Sequence, residues 1–207
     1  MCRVLLQGIS VAVYALQKLR KIYEKRFLQM KSSRVKKIAI AGMLIAIGVI
    51  GGAWSIPIGV SKCAPVQHMI NILAATTLGP VYGVIMAFIT SCIRNAMGTG
   101  TLLAFPGSMC GAALSGVLCM AFRKMDFPKK ENILGDGTLG AIIGELFGTA
   151  VIGGILAYPI ASFVMGKEAA VFTYVIPFLV STLGGTIIGT IVYIALKKTK
   201  VLDKMGI

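Results

Sequence analysis

The residues able to do chemistry in this chain are few, and most are polar groups set among apolar neighbours. His68, the only histidine, follows Gln67 and precedes Asn71. On a helix these three positions fall within about 100° of arc, so they share a face. Together they offer hydrogen-bond donors and acceptors, either to a ligand or to neighbouring helices. Glu145 lies in the apolar stretch GAIIGELFGTA. A carboxylate there is costly unless partnered, and Arg94 and His68 are the candidate partners. Ligand recognition is the favoured role for Glu145, with a proton relay as the alternative. Arg94-Asn95 precedes AMGTGTLLAFPGS, whose Gly98 and Gly100 permit a tight turn or close backbone approach to a ligand. For Arg94 the preferred reading is an interfacial side chain that reaches outward; for Asn95 it is the pocket. Trp54, the only tryptophan, and Tyr158 and Tyr174 are either interfacial anchors or covers over a flat ring.

These residues must be held by a membrane fold. Of the 207 residues 57% are hydrophobic and only 14% charged, against about a quarter charged in soluble domains. The net charge of +14 does not point to nucleic acid, because of where it sits. Eighteen of the 21 basic residues lie before Ile38, at 123–130 or after residue 196. Basic blocks that punctuate apolar runs are the positive-inside pattern.

Six apolar segments follow, at roughly 38–56, 66–79, 80–96, 102–122, 138–160 and 170–196. The second and third are short for a span of about 20 residues, and Leu78-Gly79-Pro80 divides them. The fifth is expected to end near Tyr158-Pro159. The 123–137 stretch is the only long polar connection. The expectation is an all-α integral membrane protein with six transmembrane helices and both termini cytoplasmic. Its parts are residues 1–33, residues 34–200 as the transmembrane domain, and a cytoplasmic tail over 201–207. Residues 1–30 read either as a basic amphipathic helix on the membrane surface or as an over-long start, with Met30 the natural beginning.

Several functions are disfavoured by what the sequence lacks. There is no GxxxxGK[ST], hence no P-loop for ATP. Five cysteines without a CxxC suggest neither a disulfide framework nor a zinc site. FPGSMCG places Ser108 between glycines without forming GxSxG, which leaves an intramembrane hydrolase as a minor reading. No cofactor is implied. Small residues recur at helical spacing. Gly107 and Gly111, Gly144 and Gly148, and Gly185 and Gly189 suit close packing between helices. Ala39, Gly42 and Ala46 share a face of the first segment, where a partner could dock.

The stretches KCAPVQHMINILAATTLGPVYGV, RNAMGTGTLLAFPGSMCGAALSG, GELFGTAVIGGILAYPIA and YVIPFLVSTLGGTIIG, in this order, resemble the ThiW family. The resemblance covers about residues 34–196. It implies a six-helix substrate-binding S component of an energy-coupling factor (ECF) transporter, specific for hydroxyethylthiazole, a thiamine precursor. It also implies partners: a transmembrane coupling protein and two cytoplasmic ATPases. Docking in such proteins uses small residues of the first helix, often AxxxA. Here Met43 and Ile45 break that spacing, and only Gly42 to Ala46 keeps it. The implied pocket is mostly apolar, with Gln67, His68, Asn71, Asn95 and Glu145 to bond the ligand and Trp54, Tyr158 or Tyr174 to cover its ring. It requires no fixed positive charge. The alternative is a stand-alone secondary transporter or channel with Glu145 and His68 as an ion path.

Overall fold

A computed structural model of the protein describes residues 34–58, 61–125, 137–168 and 170–202, together with Lys18. The amphipathic stretch over 1–30, most of the 123–137 connection and the tail from 203 lie outside the described residues. The chain divides into residues 1–39 and residues 40–207, and the packing and the site described below belong to the second unit.

The described residues form six helical segments and one small hairpin. Helix α1 runs over Arg34–Gly52. Strands β1 (Ile56–Ile58) and β2 (Ser61–Cys63) pair antiparallel, with Ile56 opposite Cys63 and Pro57 opposite Lys62. The helices that follow are α2 (Pro65–Thr77), α3 (Pro80–Ala96), α4 (Ala104–Lys124), α5 (Leu139–Val164) and α6 (Val175–Lys198). The hairpin is an addition to the all-α expectation. It occupies the SIPIGVSKC connection, too short and too rich in β-branched residues to form another helix.

Four helices, α1, α4, α5 and α6, are long and apolar enough to cross a membrane. Helices α2 and α3 have 13 and 17 residues. At about 1.5 Å per residue they reach about 20 and 26 Å, short of a hydrocarbon core of about 30 Å. Both begin with proline at the first helical position, where the missing N–H costs nothing. Between them Gly79 takes φ +92°, a conformation that side-chain-bearing residues rarely adopt.

Helix α5 continues past Pro159, where the sequence reading ends it. It is α-helical over Leu139–Leu146 and Gly154–Pro159 but widens to π-helix over Phe147–Gly153 and Ile160–Val164. Proline cannot donate the i→i−4 bond. The wider turn that follows it absorbs the gap without ending the helix.

Burial is inverted relative to a soluble protein. Ile50, Phe163 and Ile176 are 70%, 83% and 70% exposed, whereas His68, Arg94 and Glu145 are at 7%, 2% and 0%. Apolar outward and polar inward is the arrangement lipid favours. Close helix contact then rests on glycine. A Cβ added at Gly144 would meet Leu114 O of α4 at 2.5 Å, and one at Gly148 would meet Cys110 O at 2.7 Å. On α6, Gly189 meets Met69 O of α2 at 2.9 Å, and Gly185 meets the Cβ of His68 at 2.5 Å. The three glycine pairs on α4, α5 and α6 thus serve internal packing. Helix α4 is central, packed against α2, α3 and α5.

Candidate ligand-binding cavity

A cavity opens at one end of the second unit, among the amino ends of α2, α4 and α6 and the carboxyl end of α3. Its walls include Gln67 and His68 from α2, Arg94 from α3, Ser108 from α4, Thr149 from α5 and Phe178 from α6. Exposed Lys62, on β2, lies at its rim. The cleft holds about 440 Å³ including its open mouth, but a water-sized group reaches only about 40 Å³ of it. A cleft of this size suits a small molecule. The basic ends of α4 (Arg123, Lys124) and α6 (Lys197, Lys198) are the opposite ends of those helices.

Behind the wall stands Glu145, fully buried. Its Oε1 accepts hydrogen bonds from His68 Nδ1 at 2.8 Å, Asn71 Nδ2 at 2.8 Å and Thr149 Oγ1 at 3.2 Å. Thr149 reaches it from one turn on, at the π-helical widening. The Glu145 Oε2 atom is buried without a partner among the described residues. Gly111 makes room for this carboxylate, since a Cβ there would lie 2.9 Å from both oxygens and against Thr149 Oγ1. With Nδ1 turned to Glu145, the His68 ring leaves Nε2 for a ligand, as an acceptor when the ring is neutral.

A second chain of bonds runs across the wall, and its direction can be derived. Arg94 is only a donor, and its Nη1 bonds Gln67 Oε1. The Gln67 amide nitrogen therefore donates to Ser91 Oγ at 3.0 Å. Ser108 Oγ donates to Ala104 O at 2.8 Å, so it accepts from Ser91 Oγ at 3.2 Å. Asn71 Nδ2 also reaches Ser108 O at 3.1 Å, which joins the two chains. Ser108 and His68 both line the cavity, but no hydrogen bond joins them among the described residues.

Of the side chains singled out in the sequence, Gln67, His68, Arg94 and Ser108 line the cavity; Glu145 holds His68 from behind, and Asn71 bonds Glu145 and Ser108 O. Asn95 is set apart: its Nδ2 donates to Ser91 O at 2.8 Å and Thr101 O at 3.1 Å, tethering the connection to α4. Trp54 is 82% exposed and does not line the cavity. Tyr158 is half-buried on α5, and Tyr174 is buried against Phe178, with ring centroids 6.3 Å apart. The aromatic wall is Phe178 instead, which carried no polar signal in the sequence. Ala39, Gly42 and Ala46 are all exposed.

Arg94 corrects the sequence reading. It points inward rather than out to the interface, because Gly52 leaves a space for it. A Cβ at Gly52 would lie 2.7 Å from both Cδ and Cζ of Arg94. Its Nη2 meets Gly52 O and Thr99 O, each at 3.4 Å, and Nε has no partner.

A small, partly polar cavity in a bundle of apolar helices suits recognition of a small molecule. Residues 38–199 match the family described as thiamine-precursor transporter protein (ThiW). The chain belongs to the ThiW family. As a ThiW-family chain it is a multi-pass membrane protein of a transporter family that moves a small molecule, which is consistent with a protein that is not an enzyme. It is also similar to a UPF0397 protein of Streptococcus sanguinis (strain SK36), 25% identical over 175 residues, or 83% of this chain and 95% of that one. No solved structure matches.

Proposed function

We propose that this ThiW-family chain is the substrate-binding S component of an ECF transporter and captures hydroxyethylthiazole for uptake driven by partner ATPases. The observation that carries the reading is His68, held by Glu145 through Nδ1 so that Nε2 is left to accept from a ligand hydroxyl. The apolar ring would lie against Phe178 and Leu103. Helices α2 and α3 would complete six spans, with both termini cytoplasmic. The basic ends of α4 and α6 would then be inside and the cavity would face outward, where capture must occur.

The chain has no P-loop, so ATP-driven uptake would need ATPases on partner chains, which the ECF reading supplies as a coupling protein and two ATPases. Ala39, Gly42 and Ala46 would form the docking face on α1. Two observations support this. Among the described residues nothing lies within 4 Å of a Cβ added at Gly42, while a Cβ at Gly48 or Gly51 of the same helix would run into Ile70 or Val66. In domain terms, residues 34–200 would be the transmembrane unit, with 1–33 and 201–207 on the cytoplasmic side.

Calorimetry on purified protein tests the substrate, with thiamine, its thiazole half and its pyrimidine half as titrants. The thiazole should bind best. Preferred binding of the pyrimidine would refute the reading. Proton-driven uptake in membranes that lack the ATPases would instead favour a stand-alone transporter using Glu145 and His68.

A further inference from the structure

The cavity carries more positive character than a neutral alcohol requires. Arg94 lies in its wall at 2% exposure, and among the described residues its acceptors are all uncharged: the Gln67 amide oxygen and the Gly52 and Thr99 carbonyls. The two carbonyl contacts are at the long limit of hydrogen bonding, and Nε has none. Lys62 lines the same cavity from the rim. Among the described residues no aspartate or glutamate lines it. Glu145, the one carboxylate nearby, stands behind His68 with its Oε1 occupied by His68, Asn71 and Thr149. The amino ends of α2 and α4 also face the cavity, and neither has an acidic residue in its first turn or a side-chain cap. Helix amino ends favour negative charge. A guanidinium buried without a counter-charge is expensive, and the cavity is where a counter-charge can enter.

We propose that the preferred ligand bears an anionic substituent, a phosphate monoester or a carboxylate, held between Arg94 and Lys62. This rests on the cavity being the thiazole site, and it refines which form of the heterocycle is bound. The heterocycle lies deeper, toward His68 and Phe178, and the anion lies toward the rim. The charged group makes charge-assisted bonds that a hydroxyl cannot make.

The test is calorimetry on the full chain in detergent, with hydroxyethylthiazole and its phosphate monoester as the two ligands. The monoester is expected to bind about tenfold or more tightly, as charge-assisted bonds are worth at least that. Its advantage should shrink as salt rises. Arg94→Gln should remove most of the preference. Arg94 is buried, so Lys62→Ala, at an exposed position, is the second arm and should reduce the ratio of the two affinities several-fold. If the neutral alcohol binds as tightly as the monoester, the proposal is overturned while thiazole capture stands. If neither ligand binds the folded protein, both readings fall.

Discussion

Replacing Glu145 with glutamine tests whether this residue touches the ligand or acts through His68. Glutamine keeps an oxygen where Oε1 now accepts from His68, Asn71 and Thr149. It removes the charge and puts an NH₂ where Oε2 has no partner, beside Gly111. Hydrogen bonds to charged groups contribute about 1.5–3 kcal/mol and neutral ones about 0.5–1.5. Three weakened bonds and an unsatisfied amide, offset by removal of a buried charge, should cost about 1–3 kcal/mol of stability. The fold should survive with a lower melting temperature.

The effect on the ligand should be smaller. Without the carboxylate, His68 still donates through Nδ1, but its Nε2 is a poorer acceptor. Thiazole affinity should fall roughly fivefold, equivalent to about 1 kcal/mol. His68→Ala deletes the contact itself and should cost about 1–3 kcal/mol, or roughly 5- to 150-fold. The double variant decides the matter. If Glu145 only positions His68, adding Glu145→Gln to His68→Ala should change affinity by less than about twofold. Calorimetry with parallel thermal unfolding reads both quantities. A further fivefold loss in the double variant would refute the positioning argument and put Glu145 in direct contact with ligand.

Two other predictions concern orientation and assembly. Reporter fusions in the 123–137 connection and after Lys200 should both read cytoplasmic, and an external signal at either would break the six-span reading. Gly42→Leu should block co-purification with the coupling protein while leaving thiazole binding intact, because the position is open in the isolated chain. Unchanged co-purification would move the docking face elsewhere.

The membrane class, the positions of the helices and the glycine contacts were legible because each rests on local pattern. Apolar length, proline and glycine punctuation and four-residue spacing are all written along the chain. The grouping of His68 with Gln67 and Asn71 was legible for the same reason, since one helix presents all three. Partners from different helices were harder. The bond from His68 to Glu145 crosses 77 positions and could be named only as a candidate. Arg94 was misread because its direction depends on the absence of a side chain at Gly52, 42 positions away. Trp54 and Tyr174 were plausible ring covers by type alone. Phe178 lines the cavity through tertiary packing, which a residue's type does not reveal. The continuation of α5 past Pro159 depends on a backbone adjustment that no propensity scale describes.

The wall is largely satisfied by its own hydrogen bonds. Gln67 and Ser108 are engaged at both ends of a directed chain, and Asn71 divides its amide between Ser108 O and Glu145. Apart from Arg94 Nε and Glu145 Oε2, few buried groups there wait for a partner among the described residues. The cavity thus offers a ligand few groups. Any ligand that bonded Gln67 or Ser108 would first have to break a bond already made, at little net gain. On the proposed reading, binding would draw on the groups left over: His68, the underused guanidinium of Arg94, and the apolar surface of Phe178 and Leu103. An apolar ring with an acceptor-rich substituent would suit them. Selectivity would follow from the same inventory, since a ligand without that substituent leaves Arg94 short of acceptors.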